Sequence, residues 1–385
     1  MGQRVSSWFR AEPYHVYDVY KYSDTFCSIV GVNCYQYVGN PVNGLARISP
    51  VRVVHFVVLH LLLMVVAVIH ATIPYELVNN GSLIVMYGIR TLLTAGMFAV
   101  SGIIMFSALK WKSITQLLQK VHQLDLKVKQ WFTHKKHILT SGCLSLLLYQ
   151  TLLTTYNVGT VLYIEDTFVS WRMVFGQLYF NAIYFTVVFR FYTLACIISF
   201  RVVHLNNALR LRFDTYNGEW SGRWLDSTKY RAGTVQERIR IVQKMADMHH
   251  QLNEITDHMN GVFGDVFIGN MMVVMLFCAF NVFTLLKLYG SADAPTRMFA
   301  WCNFGGSSFY TMMFMLFVHY ARTVLKEVKC VFLFVFRHGA MNNETNDELI
   351  RSMMVFSRQI RNRSAFIGSR GVNVDWPLIF QVRFG

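Results

Sequence analysis

Charge is scarce in this chain. Only 15% of its 385 residues are Asp, Glu, Lys or Arg, against about 25% in an average soluble domain. With 54% hydrophobic residues, such a composition argues against a conventional soluble surface and makes membrane embedding the first reading to test. Acidic residues are scarcer than basic ones, 21 against 36, for a formal net charge of +15. Nucleic-acid binding would need those cations gathered on one exposed surface; here they fall between long apolar runs, which fits membrane orientation. The seven cysteines, Cys27, Cys34, Cys143, Cys196, Cys278, Cys302 and Cys330, include no CxxC pair. That speaks against a zinc site or a disulfide framework and leaves thiols filling apolar space. Also missing are an HExxH motif, a Walker A loop, an HxxHH box and a repeated, carboxylate-rich bundle motif of the Glu-x-x-His kind, so His134, His137, His249, His250 and His258 read as bundle surface or headgroup contacts. Neither an enzyme nor a metal or other cofactor is expected. The polar, aromatic start from Met1 to Val51 lacks the form of a cleavable signal peptide.

What the chain has is long runs without charge. A bilayer core of about 30 Å needs about 20 helical residues. Val53–Ile73 is free of Asp, Glu, Lys and Arg, Leu83–Leu109 is broken only by Arg90, and Ile138–Ile164 has no charge. Met173–Phe189 continues past Arg190 to Phe200, and Val266–Leu286 and Met298–Ala321 are charge-free. The expected fold is therefore all-α and polytopic, with six transmembrane helices, a truncated seventh and cytoplasmic helical extensions. A large soluble helical protein is the alternative, and repeated runs of this length weigh against it.

Lys and Arg partition between the connectors. Residues 1–51, 110–136, 205–262 and 322–370 hold twenty-eight, whereas 74–82, 163–172 and 288–297 hold two, Arg172 and Arg297. The positive-inside rule then places the N-terminus in the cytoplasm of a multi-pass plasma-membrane protein. The sequon at Asn80 falls in an outer loop and is a glycosylation candidate, while those at Asn343 and Asn362 fall inside. Expected domains are a cytoplasmic region at 1–52, a transmembrane helical domain at 53–321, a cytoplasmic linker and penultimate helix at 322–374, and the start of a last span at 375–385.

Three apolar stripes at intervals of three or four mark helices that extend beyond the bilayer. The first, near 113–132, runs Ile114, Leu117, Val121, Leu124, Val128, Trp131. The second, near 235–262, runs Ile239, Val242, Ala246, His249, Leu252, Ile255, Met259, Val262. Leu349, Met353, Phe356 and Ile360 form the third. A cytoplasmic bundle buries all three; a headgroup-plane helix is the other reading of 113–132. It suits 235–262 less, because Glu237, Asp247, Glu254 and Asp257 repel an anionic leaflet.

The segment DELIRSMMVFSRQIRNRSAFIGSRGVNVDWPLIFQ, Asp347 to Gln381, resembles the insect gustatory receptor family, relatives of the insect odorant receptors. Leu349–Arg361 corresponds to the family's penultimate cytoplasmic helix, Gly371 to its turn, and Trp376–Phe380 to the first turn of the last span. The family's Thr-Tyr pair followed by Gln-Phe near the end of that span is missing, and the expectation is of a C-terminally truncated or divergent member. The resemblance implies a ligand-gated non-selective cation channel, a homo- or hetero-tetramer with other gustatory receptor subunits, that detects small-molecule tastants. It also implies that a chain without its final span has lost the pore wall. A multispan transporter and a non-conducting binding or scaffold subunit are the alternatives.

Candidate ligand contacts are the polar and aromatic groups of the outer helix halves: Arg90, Tyr156, Asn157, Tyr163, Glu165, Trp171, Asn281, Tyr289, Trp301 and Asn303. Aromatic faces stack on a sugar or alkaloid ring, and amides orient hydroxyls or amines. Each has a plainer reading. Arg90 also pairs with Glu76 or snorkels, and Tyr163, Trp171 and Tyr289 suit an interfacial belt. Arg190, near the inner end of its run, reads as structural. FGGSSFY, Phe304–Tyr310, reads as a close-packing surface.

Overall fold

The computed structural model describes residues 16–38, 46–72, 83–129, 148, 151–152, 154–155, 168–213, 234–289, 294–341, 347–363, 367–369 and 372–373. In chain order these form α1 (Val16–Ile29), β1 (Tyr35–Tyr37), β2 (Ala46–Ile48), α2 (Pro50–Thr72), α3 (Leu83–Leu109) and α4 (Trp111–Lys129). Then come α5 (Phe168–Phe213), α6 (Val235–Leu288), α7 (Ala294–Met341), α8 (Asp347–Asn362), β3 (Gly368–Ser369) and β4 (Val372–Asn373). The strands make two small antiparallel hairpins, Tyr35 opposite Ile48 and Gly368 opposite Asn373. The described elements are otherwise helical.

The expectation of six spans and a truncated seventh is corrected here. Among the described residues three helices are long and apolar enough to cross a membrane: Pro50–Ile69, Ala182–Leu209 and Val235–Lys287. A fourth arises only if Thr94–Phe106 and Trp111–Lys127, bent 64° from each other, count as one. Freedom from charge is a weaker criterion than apolarity. The run within α7 carries Trp301, Asn303, Ser307, Ser308, Tyr310, Thr311, His319 and Tyr320, so it lacks charge without being uniformly greasy. The amphipathic stretch 235–262 and the apolar run 266–286 are one unbroken rod, α6. Ile138–Ile164 and the tail from Asp375 lie outside the described residues, apart from single positions near Thr151.

Helix ends follow local chemistry. Thr234 caps α6, its hydroxyl accepting the Glu237 backbone N–H at 3.2 Å. Acids open α8, Asp347 and Glu348, and Arg361 closes it, matching the helix dipole. Within the apolar helices Thr186, Thr193, Thr284 and Thr311 return their hydroxyls to the carbonyl four residues back. Each polar group is thereby satisfied without water.

The chain divides into two compact units: Met1–Gln116, Lys135–Thr193 and Asp265–Phe317; and Leu117–His134, Leu194–Gly264 and Val318–Gly385. In the first, α2 packs on α3, with His60 Nε2 and Ser101 Oγ 2.9 Å apart. Only 11% of the apolar window of α2 is buried, against 94% of that of α5, and Val51, Val54, Val58, Leu61, Val65 and Val68 stand exposed along α2. A bare apolar rod of this kind is what lipid would cover. Gly31, at φ +74°, turns the chain after α1 with the Leu59 side chain against its Cα hydrogens.

In the second unit the third stripe is buried as its spacing predicts, with Leu349, Met353, Phe356 and Ile360 all inside. α8 is tied to α6 by Gln359 Nε2 donating to the Ala246 carbonyl (3.0 Å) and Asn253 Nδ2 donating to the Arg363 carbonyl (2.6 Å). Of the first stripe Ile114, Leu117, Val121 and Leu124 are buried, and of the second Ile239, Val242, His249, Leu252, Ile255, Met259 and Val262.

Candidate functional site

Two polar constructions stand out in the first unit. One is a seam between α6 and α7. Asn281 Nδ2 donates to Ser307 Oγ at 2.6 Å, and Cys278 Sγ lies 2.7 Å from Thr311 Oγ1. The pairing runs in opposite chain directions, so the helices are antiparallel; Phe267 against Phe317, centroids 4.3 Å apart, continues the register. Positions 278 and 281, and 307 and 311, share a face by helical spacing. Asn281 and Ser307 are both buried. At the helical rise Tyr289 stands about 12 Å along α6 from Asn281, and Trp301 about 9 Å along α7 from Ser307, both toward the connection between the helices. Both are exposed, at 65% and 45%, and Trp301 meets Phe304 edge-on at 6.0 Å.

The seam offers an amide, two hydroxyls and a thiol. None is a nucleophile set against a base, and among the described residues no group of three or more His, Cys, Asp or Glu could hold a metal ion. Its polar groups pair with one another across two apolar helices, which ties α6 to α7.

The other construction surrounds Arg190, 3% exposed on α5. Its Nε donates to Tyr20 Oη at 2.6 Å, Nη1 to Asn33 Oδ1 at 3.2 Å, and Nη2 to Tyr35 Oη at 2.8 Å. The counter-charge stands one step removed: Asp24 Oδ1 accepts from Asn33 Nδ2 at 2.7 Å and from Tyr35 Oη at 3.2 Å. Burial raises the Asp24 carboxyl above its ordinary value despite the opposing pull of Arg190. Burial likewise pushes the Cys27 thiol up to about 11. The Tyr35 backbone carbonyl accepts from Arg52 Nη1 in the first turn of α2, and the Tyr35 ring stacks on Trp111 with centroids 6.0 Å apart.

Among the candidate contacts whose side chains are described, Asn281 is the one in a defined polar contact. Tyr289 and Trp301 are exposed, while Arg90 on α3, Trp171 on α5 and Asn303 on α7 are placed in their helices only. Tyr156, Asn157, Tyr163, Glu165 and the sequon at Asn80 lie outside the described residues. Sequence reasoning missed Ser307 as the partner of Asn281, the Cys278–Thr311 contact beside it, and the N-terminal partners of Arg190. The usable signal was a lone Arg in an apolar run beside an N-terminal segment rich in Tyr and Asn.

Residues 25–381 match the family described as 7tm chemosensory receptor. No curated protein matches the chain. Among solved structures, it is similar to the insect olfactory receptor OR5 from Machilis hrabei in complex with eugenol. That likeness has a TM-score of 0.53 over 94% of this chain and 93% of that one, at 10% identity. At that identity the likeness is one of fold.

Proposed function

From the premise that this chain belongs to the 7tm chemosensory receptor family, we propose that it is a gustatory chemoreceptor and a subunit of a ligand-gated, non-selective cation channel. Membership makes it a multi-pass membrane receptor rather than an enzyme. The finer reading places its N-terminus in the cytoplasm of the plasma membrane, with support from the partition of Lys and Arg among the connectors. Assembly as a homo- or hetero-tetramer with other gustatory receptor subunits belongs to the same proposal.

Two observations carry it: the family match spans almost the whole chain, and the Asp347–Gln381 segment resembles gustatory receptors within that family. The ligand class is a small, uncharged organic tastant with a hydrogen-bonding group. Asn281 and Ser307 supply polar contacts, Tyr289 and Trp301 supply rings, and Arg90, Tyr156, Asn157, Tyr163, Glu165, Trp171 and Asn303 remain candidate contacts. A ligand gates only through a difference in affinity between closed and open states.

The test is whole-cell recording from cells expressing the chain alone and with a second gustatory receptor subunit, under a panel of sugars, alkaloids and phenols that includes eugenol. The expected result is a concentration-dependent cation current. Stoichiometric uptake of a compound without current would instead support a transporter, and binding without either would support a non-conducting subunit.

A further inference from the structure

We infer that Tyr35 and Arg190 are positioning residues that oblige α4 and α5 to move together. Four helices, α4 to α7, pass from one compact unit into the other, and the junction around Tyr35 holds two of them just before they do so. Trp111, stacked on Tyr35, precedes the division after Gln116 in α4, and Arg190 precedes the division after Thr193 in α5. The junction itself lies wholly in the first unit.

The chemistry explains why this grip is stiff. A guanidinium cannot shed its charge inside a protein, so a buried one must keep its hydrogen bonds or lose far more than it would in water. Arg190 has three, all to side chains between Tyr20 and Tyr35. The Tyr35 hydroxyl accepts from Arg190 while donating to Asp24, which links the cation to its counter-charge through one oxygen. The same residue anchors to the start of α2 through its backbone carbonyl and Arg52. A shift of α5 that preserves these bonds must carry Tyr35, and with it the ring on which Trp111 stacks. Within the receptor reading, on which this use of the motion rests, the junction passes displacement of α5 into the start of α4, upstream of the direct tie between the same helices at Arg201 and Asp125.

Hydrogen–deuterium exchange on the full chain in lipid nanodiscs, without ligand, tests the coupling independently of whether a current is ever found. Tyr35→Phe keeps the ring on Trp111 and removes only the hydroxyl. The expected result is faster exchange in 16–37 and, in the same variant, in 111–129 and 201–213, by about tenfold, the order of one lost hydrogen bond to a charged group. Leu63→Ala, which loosens the buried side of α2 away from the junction, is expected to leave 111–129 unchanged. A rise confined to 16–37 in Tyr35→Phe, or an equal rise of 111–129 in Leu63→Ala, would overturn the inference.

Discussion

Arg201 grips Asp125 with two parallel hydrogen bonds, Nε to Oδ1 and Nη2 to Oδ2, each 2.6 Å long, joining α5 to α4 inside the second unit. Both side chains are largely buried, and Nη1 also donates to the Ile197 carbonyl at 2.7 Å. Removing one partner strands a buried charge. Asp125→Ala should therefore cost about 3–5 kcal/mol, seen as a lower melting temperature in detergent and reduced surface expression. Pairing Arg201→Met with Asp125→Leu should recover most of that loss, because a well-packed apolar pair carries no desolvation penalty. A double variant no better than Asp125→Ala would contradict this.

Gly88 on α3 lies under the Phe280 ring of α6. A Cβ at position 88 would sit 2.2 Å from Phe280 Cε2. Small residues let helices approach this closely. Gly88→Val should cost about 1–3 kcal/mol by overpacking, with Phe280→Leu relieving part of it in the double variant. Thermal unfolding of the four proteins measures the coupling.

For the α6–α7 seam, Asn281→Ala removes the donor to Ser307 and should cost about 1 kcal/mol in stability. In the proposed receptor it should also raise the half-maximal concentration of an uncharged agonist several-fold at matched surface expression. Ser307→Ala in the same background should add little, since the two share one bond. Dose–response curves unchanged in both variants at matched surface expression would remove the pair from the ligand site.

Asp24 sets a pH dependence whose sign is opposite to that of a surface salt bridge. Its carboxyl is raised in the folded segment, chiefly by burial, so folding favours the protonated form. The stabilisation is present below the ordinary carboxylate value and is lost as pH rises through the raised one. Of the other groups around it, the Arg190 guanidinium keeps its charge, while burial raises Tyr20, Tyr35 and Cys27 above their ordinary values. Protection of 16–37, corrected for intrinsic exchange, should fall as pH rises from the ordinary carboxylate range through the raised one. Asp24→Asn should flatten the difference. Greater protection at the higher pH would contradict the assignment.

How much of this was legible in the sequence depended on the range of the interaction. The stripe of α8 was readable because Leu349, Met353, Phe356 and Ile360 announce their common face by spacing alone, and the structure buries all four. The number of membrane-crossing helices was not, because a run defined by missing charge ignores the Asn, Ser, Thr and Tyr that lower the apolarity of α7. Asn281 was picked out as a polar residue in an apolar run. Its partner Ser307 was not, because hydroxyls and thiols facing each other across two helices leave no pattern in either one. Arg190 was visible as an anomaly, but its partners lie 155 to 170 residues earlier and are neutral, so no search for opposite charge would have found them. Asp125 hid on the polar side of an amphipathic helix, where an acid ordinarily faces water.

All of the functional reading presumes a chain embedded in lipid with its lysine- and arginine-rich connectors facing the cell interior. The direct measurement is antibody access in intact cells to one epitope inserted after Pro74 and another within 120–136. The account predicts labelling of the first without permeabilisation and of the second only after it. Labelling in the reverse pattern, or release of the chain from membranes by alkaline carbonate alone, would contradict it.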